Sequence, residues 1–218
     1  MIEIKKIKPE VLWYLIGYIS TDGNLNKDGR HIVITSKDLE HLEKIKKVAY
    51  ISNKITIKKN SYSDKKYYDL PICNVIFYRY LLSIGLTPRK SKTLGIIKIN
   101  KKYFADFLRG VIDGDGCLYS WKNNSNDHIQ WSLSIIGIAT NFINWLRKEI
   151  EDVYKVNGKI HTYQDKRSSI REPVHIIRFG KISAQKILEK VYYKNCFCLD
   201  RKLVIVKRCL LDKKKMLD

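Results

Sequence analysis

Apolar residues return every three or four positions from Leu12 through Leu15, Ile16 and Ile19, after Lys8-Pro9-Glu10, and this spacing predicts a helix that stops at Gly23. The period then changes to two. His31 to Thr35 alternates like a strand, and Ser36-Lys37-Asp38 opens a second helix with Leu39, Leu42, Ile45 and Val48 on one face. Lys54 to Lys58 and Tyr67 to Cys73 read as two more strands, and Ile76, Phe77, Tyr80, Leu81 and Ile84 as a helix closed by Gly85. The same order returns downstream. It comprises a helix over 103–115, a strand over 129–135, a helix over 139–151, strands over 159–163 and 174–178, and a helix over 182–191. In each half the residues just after the first helix, following Gly23 and Gly116, carry the weakest strand pattern.

The chain therefore reads as α+β, with two αββαββα repeats related by an approximate twofold axis. The expected divisions are 1–86 for the first repeat, 87–102 for a basic connecting segment with Pro88, and 103–218 for the second. No Gly/Ser-rich linker separates them, so fusion through a shared interface is expected.

The first helix of each half ends in the same way. Leu15-Ile16-Gly17-Tyr18-Ile19-Ser20-Thr21-Asp22-Gly23 matches Leu108-Arg109-Gly110-Val111-Ile112-Asp113-Gly114-Asp115-Gly116 in register. Gly17 and Thr21 lie four apart, as do Gly110 and Gly114, so each pair shares a helix face where two backbones can approach closely. Such packing would set Asp22 beside Asp115. Two neighbouring carboxylates raise each other's pKa, and a carboxylate at a helix C-terminus also opposes the helix dipole. A divalent cation relieves both effects, and all-oxygen ligands favour Mg²⁺ or Mn²⁺ over zinc.

Charge narrows the partner. The 218 residues contain 42 Lys and Arg against 22 Asp and Glu, a net +20 that calls for a polyanion. Nucleic acid is the leading choice, because no apolar run approaches the roughly 20 residues that cross a bilayer. Met1 to Lys6 turns charged at once, unlike a signal peptide, so an intracellular location is expected. Cysteines 73, 117, 196, 198 and 209 are odd in number and lack a disulfide framework. Cys196-Phe197-Cys198 is too tight for a zinc knuckle, and the five histidines form no ligand cluster. Lys207-Arg208 and Lys213-Lys214-Lys215 read as a solvated tail.

The paired segments resemble the LAGLIDADG motif of homing endonucleases. The third-position glycine, the late aspartate and the closing glycine stand in both copies, while Ser20, Thr21 and Arg109 depart from the usual residues. The resemblance implies paired antiparallel sheets forming a saddle over double-stranded DNA, in a monomer with internal pseudo-symmetry. It also implies a staggered double-strand break with short 3′ overhangs in a long, non-palindromic target, as in intron homing. Asp22 and Asp115 take the metal-binding catalytic positions, with Mg²⁺ as cofactor, Mn²⁺ as a substitute and Ca²⁺ supporting binding without cleavage. Arg89-Lys90 and Arg201-Lys202 each follow the last helix of their half, which nominates Lys90 and Lys202 as the basic residues near the reacting phosphate, with Lys92 a rival to Lys90.

DNA contacts are expected from the strands. The candidates are Asn24, Asn26, Arg30, His31, Lys58, Tyr62 and Tyr67 in the first half, and Ser120, Lys122, Gln130, Ser132, His161, Tyr163, Arg167 and Arg178 in the second. Loops 59–66 and 164–172 suit phosphates. Two other readings fit the same basic chain: an intron maturase that binds RNA, alone or combined with the endonuclease, and a non-cleaving DNA-binding regulator.

Overall fold

The computed structural model describes residues 4–58, 66–125, 127–164 and 172–214. The chain forms two compact units, Met1–Gly114 and Asp115–Asp218. Each is built on a four-stranded antiparallel sheet.

The first unit runs α1 (Pro9–Asp22), β1 (Gly23–Leu25), β2 (His31–Ser36), α2 (Leu39–Val48), β3 (Thr56–Lys58), β4 (Tyr67–Cys73), α3 (Val75–Ser83), the short α4 (Lys90–Thr93) and α5 (Phe104–Asp115). Its sheet order is β1-β2-β4-β3. Local chemistry sets the ends. Pro9 occupies the first turn of α1, Asn74 accepts the Phe77 N–H to start α3, and Gly85 turns the chain at φ +108° where other residues are strained. Ile32, Ile34, Leu70 and Ile72 are wholly buried on one sheet face, together with Leu42 of α2 and Phe77 and Leu81 of α3. The alternation in the sequence reports this burial directly, since successive strand residues point to opposite faces.

The second unit runs β5 (Gly116–Lys122), β6 (Ile129–Gly137), α6 (Thr140–Tyr154), β7 (Lys159–Tyr163), β8 (Val174–Gly180), α7 (Lys181–Val191) and α8 (Asp200–Lys214). Its order, β5-β6-β8-β7, repeats that of the first sheet. Leu133, Ile135, Ile177 and Phe179 are fully buried with Leu146 and Ile150 of α6 and Ile187 and Leu188 of α7. The weakest predicted strands, β1 and β5, are both present, and β5 is seven residues long.

The carboxyl-terminal residues require a correction. Residues up to Lys214 form α8, not a solvated tail, with Val206 and Cys209 buried, and Lys215 lies outside the described residues. Lys207 and Arg208 do face solvent, but from a docked helix. The Cys209 carbonyl accepts from the Gln185 amide at 3.0 Å, while Asp212 receives the Trp131 indole N–H at 3.2 Å and pairs with Lys181 at 2.8 Å. Burial pushes the Cys209 thiol up to about 12, so it is inert in the folded protein.

Candidate functional site

The contact between α1 and α5 is made backbone to backbone. A Cβ added at Gly17 would lie 2.0 Å from the Phe107 carbonyl oxygen, and one at Gly110 would lie 2.1 Å from that of Tyr14. No side chain fits either position. One turn on, the space at Gly114 is filled by Thr21, whose Oγ1 would lie 1.9 Å from a Cβ there. The threonine that departs from the motif is thus matched by a glycine on the opposing helix. Asp22 and Asp115 follow Thr21 and Gly114 in the chain and are the last residues of α1 and α5.

Polar groups line the buried side of this seam. The Tyr14 hydroxyl donates to Asp113 Oδ2 at 2.8 Å and lies 2.8 Å from His41 Nε2. A hydroxyl has one proton, and here it goes to the carboxylate. His41 must therefore donate from Nε2, which assigns its tautomer. Arg109 is fully buried, pairs with Asp106 at 2.6 Å and places its guanidinium over the Tyr14 ring. Replacing Arg109 with Ala removes the ion partner of the buried Asp106 carboxylate, and a loss of about 3–5 kcal/mol in denaturant unfolding is expected. Arg109→Met combined with Asp106→Leu should recover most of it.

Tyr18 reports on Asp22. Its phenol is pushed well above the ordinary tyrosine range, first by burial and then by the charge of Asp22, and its hydroxyl donates to Ser36 Oγ at 3.2 Å. A lysine stands at the end of each acidic helix. Lys90, 5% exposed, donates from Nζ to the carbonyls of Ser20 (2.7 Å) and Thr21 (2.8 Å), while Lys202 Nζ donates to the Gly116 carbonyl at 2.8 Å. Carbonyls at a helix C-terminus lack intrahelical partners and carry partial negative charge, so an ammonium is well suited there. Lys92 is exposed. Among the described residues no group of three or more His, Cys, Asp or Glu could hold a metal ion.

Strand register sorts the predicted DNA contacts by face. In the first sheet Asn24, His31, Lys58 and Tyr67 all register on the face opposite the core, with Val33, Thr35, Asp69 and Pro71. Asn26 and Arg30 flank the β1–β2 turn. There the His31 ring and backbone N–H groups bond the Asp28 carboxylate and hold its pKa down to about 2. In the second sheet Gln130, Ser132, His161, Tyr163 and Arg178 share the outer face, although Ser132 is only 5% exposed. Ser120 and Lys122 register on the other face, in phase with Leu118 and Trp131. Both remain exposed, and Lys122 pairs with Asp127 at 2.9 Å. Tyr62 and Arg167 lie outside the described residues. Tyr119 and Trp121, which the sequence reading passed over, hold the outer positions of β5; alternation counted outward from Leu118 would have found them.

Residues 9–85 match the family model of a LAGLIDADG-like domain. The match covers the first repeat, and the fold above is the two-repeat LAGLIDADG type. No curated protein matches the sequence. Among solved structures, the homing endonuclease I-WcaI bound to its DNA recognition sequence is 15% identical with a TM-score of 0.62, covering 94% of this chain and 87% of that one. I-DmoI in complex with DNA and Ca is 17% identical, with a TM-score of 0.54 and coverage of 86% and 91%. Full-length DUF199/WhiA from Thermatoga maritima is 18% identical, with a TM-score of 0.58 over 94% of this chain, which spans 60% of that protein's length. At these identities the likeness establishes the two-repeat fold. The fold spans both kinds of protein, so it does not by itself fix an activity.

Proposed function

We propose that the protein is a metal-dependent, site-specific endonuclease that makes a staggered double-strand break in a long, non-palindromic DNA target, as in intron homing. One observation carries this reading: α1 and α5 both close on an aspartate followed by glycine, and a lysine ammonium binds the adjacent carbonyls at each. Asp22 and Asp115 are hard oxygen donors that fit Mg²⁺, with Mn²⁺ as a substitute and Ca²⁺ supporting binding alone. When bound, the cation would activate water and stabilise the departing 3′ oxygen.

The chain's own groups supply the rest. Asp22 and Asp115 each serve one strand. Lys90 and Lys202, held at the helix ends, place positive charge where the phosphate gains negative charge in the transition state. The outer sheet faces read base edges in the major groove, and the surrounding lysines and arginines hold phosphates. At equivalent register positions Asn24, His31, Lys58 and Tyr67 of the first sheet correspond to Cys117, Ser132, Tyr163 and Val174 in the second, hence the non-palindromic target. DNA complexes of I-WcaI and I-DmoI on the same fold support this partner.

The test is incubation with a randomised double-stranded DNA library and Mg²⁺, followed by sequencing of cut ends. A single recurrent site with short 3′ overhangs is expected. Absence of any defined site, with tight binding to a structured intron RNA, would replace the reading by the maturase.

A further inference from the structure

The geometry points to a binding site for an unpaired nucleobase on the outer face of the second sheet, built on Tyr119 and Trp121. This inference rests on the reading that the face meets nucleic acid, not on cleavage. The two rings stand at alternate positions of β5, with centroids 5.4 Å apart and planes inclined by 27°. They are 38% and 47% exposed, so their stack is open to a third ring.

The surroundings suit a base. Gln130 pairs with Trp121 across the strands, and its amide can donate to and accept from a base edge. A pocket of about 500 Å³ adjoins it, lined by His128, Gln130, Gly180, Lys181, Ile182 and Ser183. Among the described strand residues that register on this face none is acidic, while Lys159 and Arg178 are basic. The face therefore complements a polyanion.

Base pairing decides between nucleic-acid forms. In a duplex each base face is covered by its neighbours, and only edges and thymine methyls reach a side chain in the groove. A stacked pair of rings recovers little there. An unpaired base offers its whole face, and open aromatics on a four-stranded sheet are a recurring platform for it. The first sheet has no such pair: counted from the glycine that opens each first strand, Asn26 and Asp28 fall where the second half has Tyr119 and Trp121.

Tryptophan fluorescence reads the site directly, since Trp13 and Trp131 are buried and Trp145 is half-buried. Short oligouridylate, oligothymidylate and a duplex of the same length are titrated without added metal. Quenching by the single strands is expected. Trp121→Ala and Trp121→Phe, which remove the reporter, are read by polarisation of labelled oligonucleotide: the first should weaken single-strand binding about 5- to 100-fold, the second should restore most of it, and duplex affinity should change less than about threefold. Tyr119→Ala, read by polarisation of labelled oligonucleotide, provides a second variant. Tighter binding of oligouridylate assigns the base to RNA, and equal binding assigns it to either sugar. Unchanged single-strand affinity in both variants, or equal losses for duplex and single strand, would overturn the inference. Because binding is measured without cutting, a protein that never cleaves DNA passes or fails independently.

Discussion

Asp115→Asn is expected to abolish double-strand cleavage while leaving Ca²⁺-supported binding to the target within a few-fold of the native protein. The substitution preserves shape and hydrogen-bonding atoms but removes the charge that makes the side chain a ligand for a hard cation. Loss of a group acting at the reacting phosphate costs on the order of 10²–10³-fold in rate, and more where it also holds the cation. Asp22→Asn should behave alike. Cleavage of supercoiled plasmid carrying the site, sampled over time, separates the outcomes: linear product forming at the native rate would remove that aspartate from the mechanism. Asp113→Asn is the informative contrast. Asp113 is buried and accepts from Tyr14, so its replacement should lower the unfolding midpoint before it touches the rate. Two aspartates two residues apart then do separate jobs.

The second large effect is expected at the helix seam. Gly17→Ala puts a methyl group 2.0 Å from the Phe107 carbonyl oxygen, and neither backbone can yield without moving its helix. Forced overpacking of this kind costs about 3 kcal/mol or more. Gly110→Ala meets the Tyr14 carbonyl at 2.1 Å and should lose a similar amount. Gly95→Ala is the control, since nothing lies within 4 Å of a Cβ there, and it should stay within about 0.5 kcal/mol. Guanidinium unfolding of the three variants gives the comparison. A Gly17→Ala midpoint equal to that of Gly95→Ala would mean the helices do not touch at that point.

Much of this was legible in the sequence, and the reasons differ by element. Tyr67–Cys73 and Lys159–Tyr163 were bounded correctly, since alternation and flanking turn residues agree there. The glycine spacing on α1 and α5 announced a close approach because only a missing side chain permits one. Arg109 could have been paired with Asp106 from their separation of three on one helix, whereas Tyr14 with Asp113 joins residues 99 apart and leaves no local trace. Helix α8 was hidden by its own charge: lysines and arginines surround the narrow apolar stripe of Val206 and Cys209. On β5 the stretch after Leu118 is exposed on both faces, so burial gave no phase, and Ser120 and Lys122 register on the face opposite Tyr119 and Trp121.

The seam also governs how the chain can be dissected. Gly17, Tyr14 and Thr21 find their partners on α5, the helix that opens the second sequence repeat yet belongs to the first compact unit. A fragment ending in the polar stretch before Lys101 would bare the glycine stripe of α1 and take Asp113 away from the Tyr14 hydroxyl. Split-protein or half-swap experiments should therefore divide the chain after Gly114, where the sheet that follows carries its own interior.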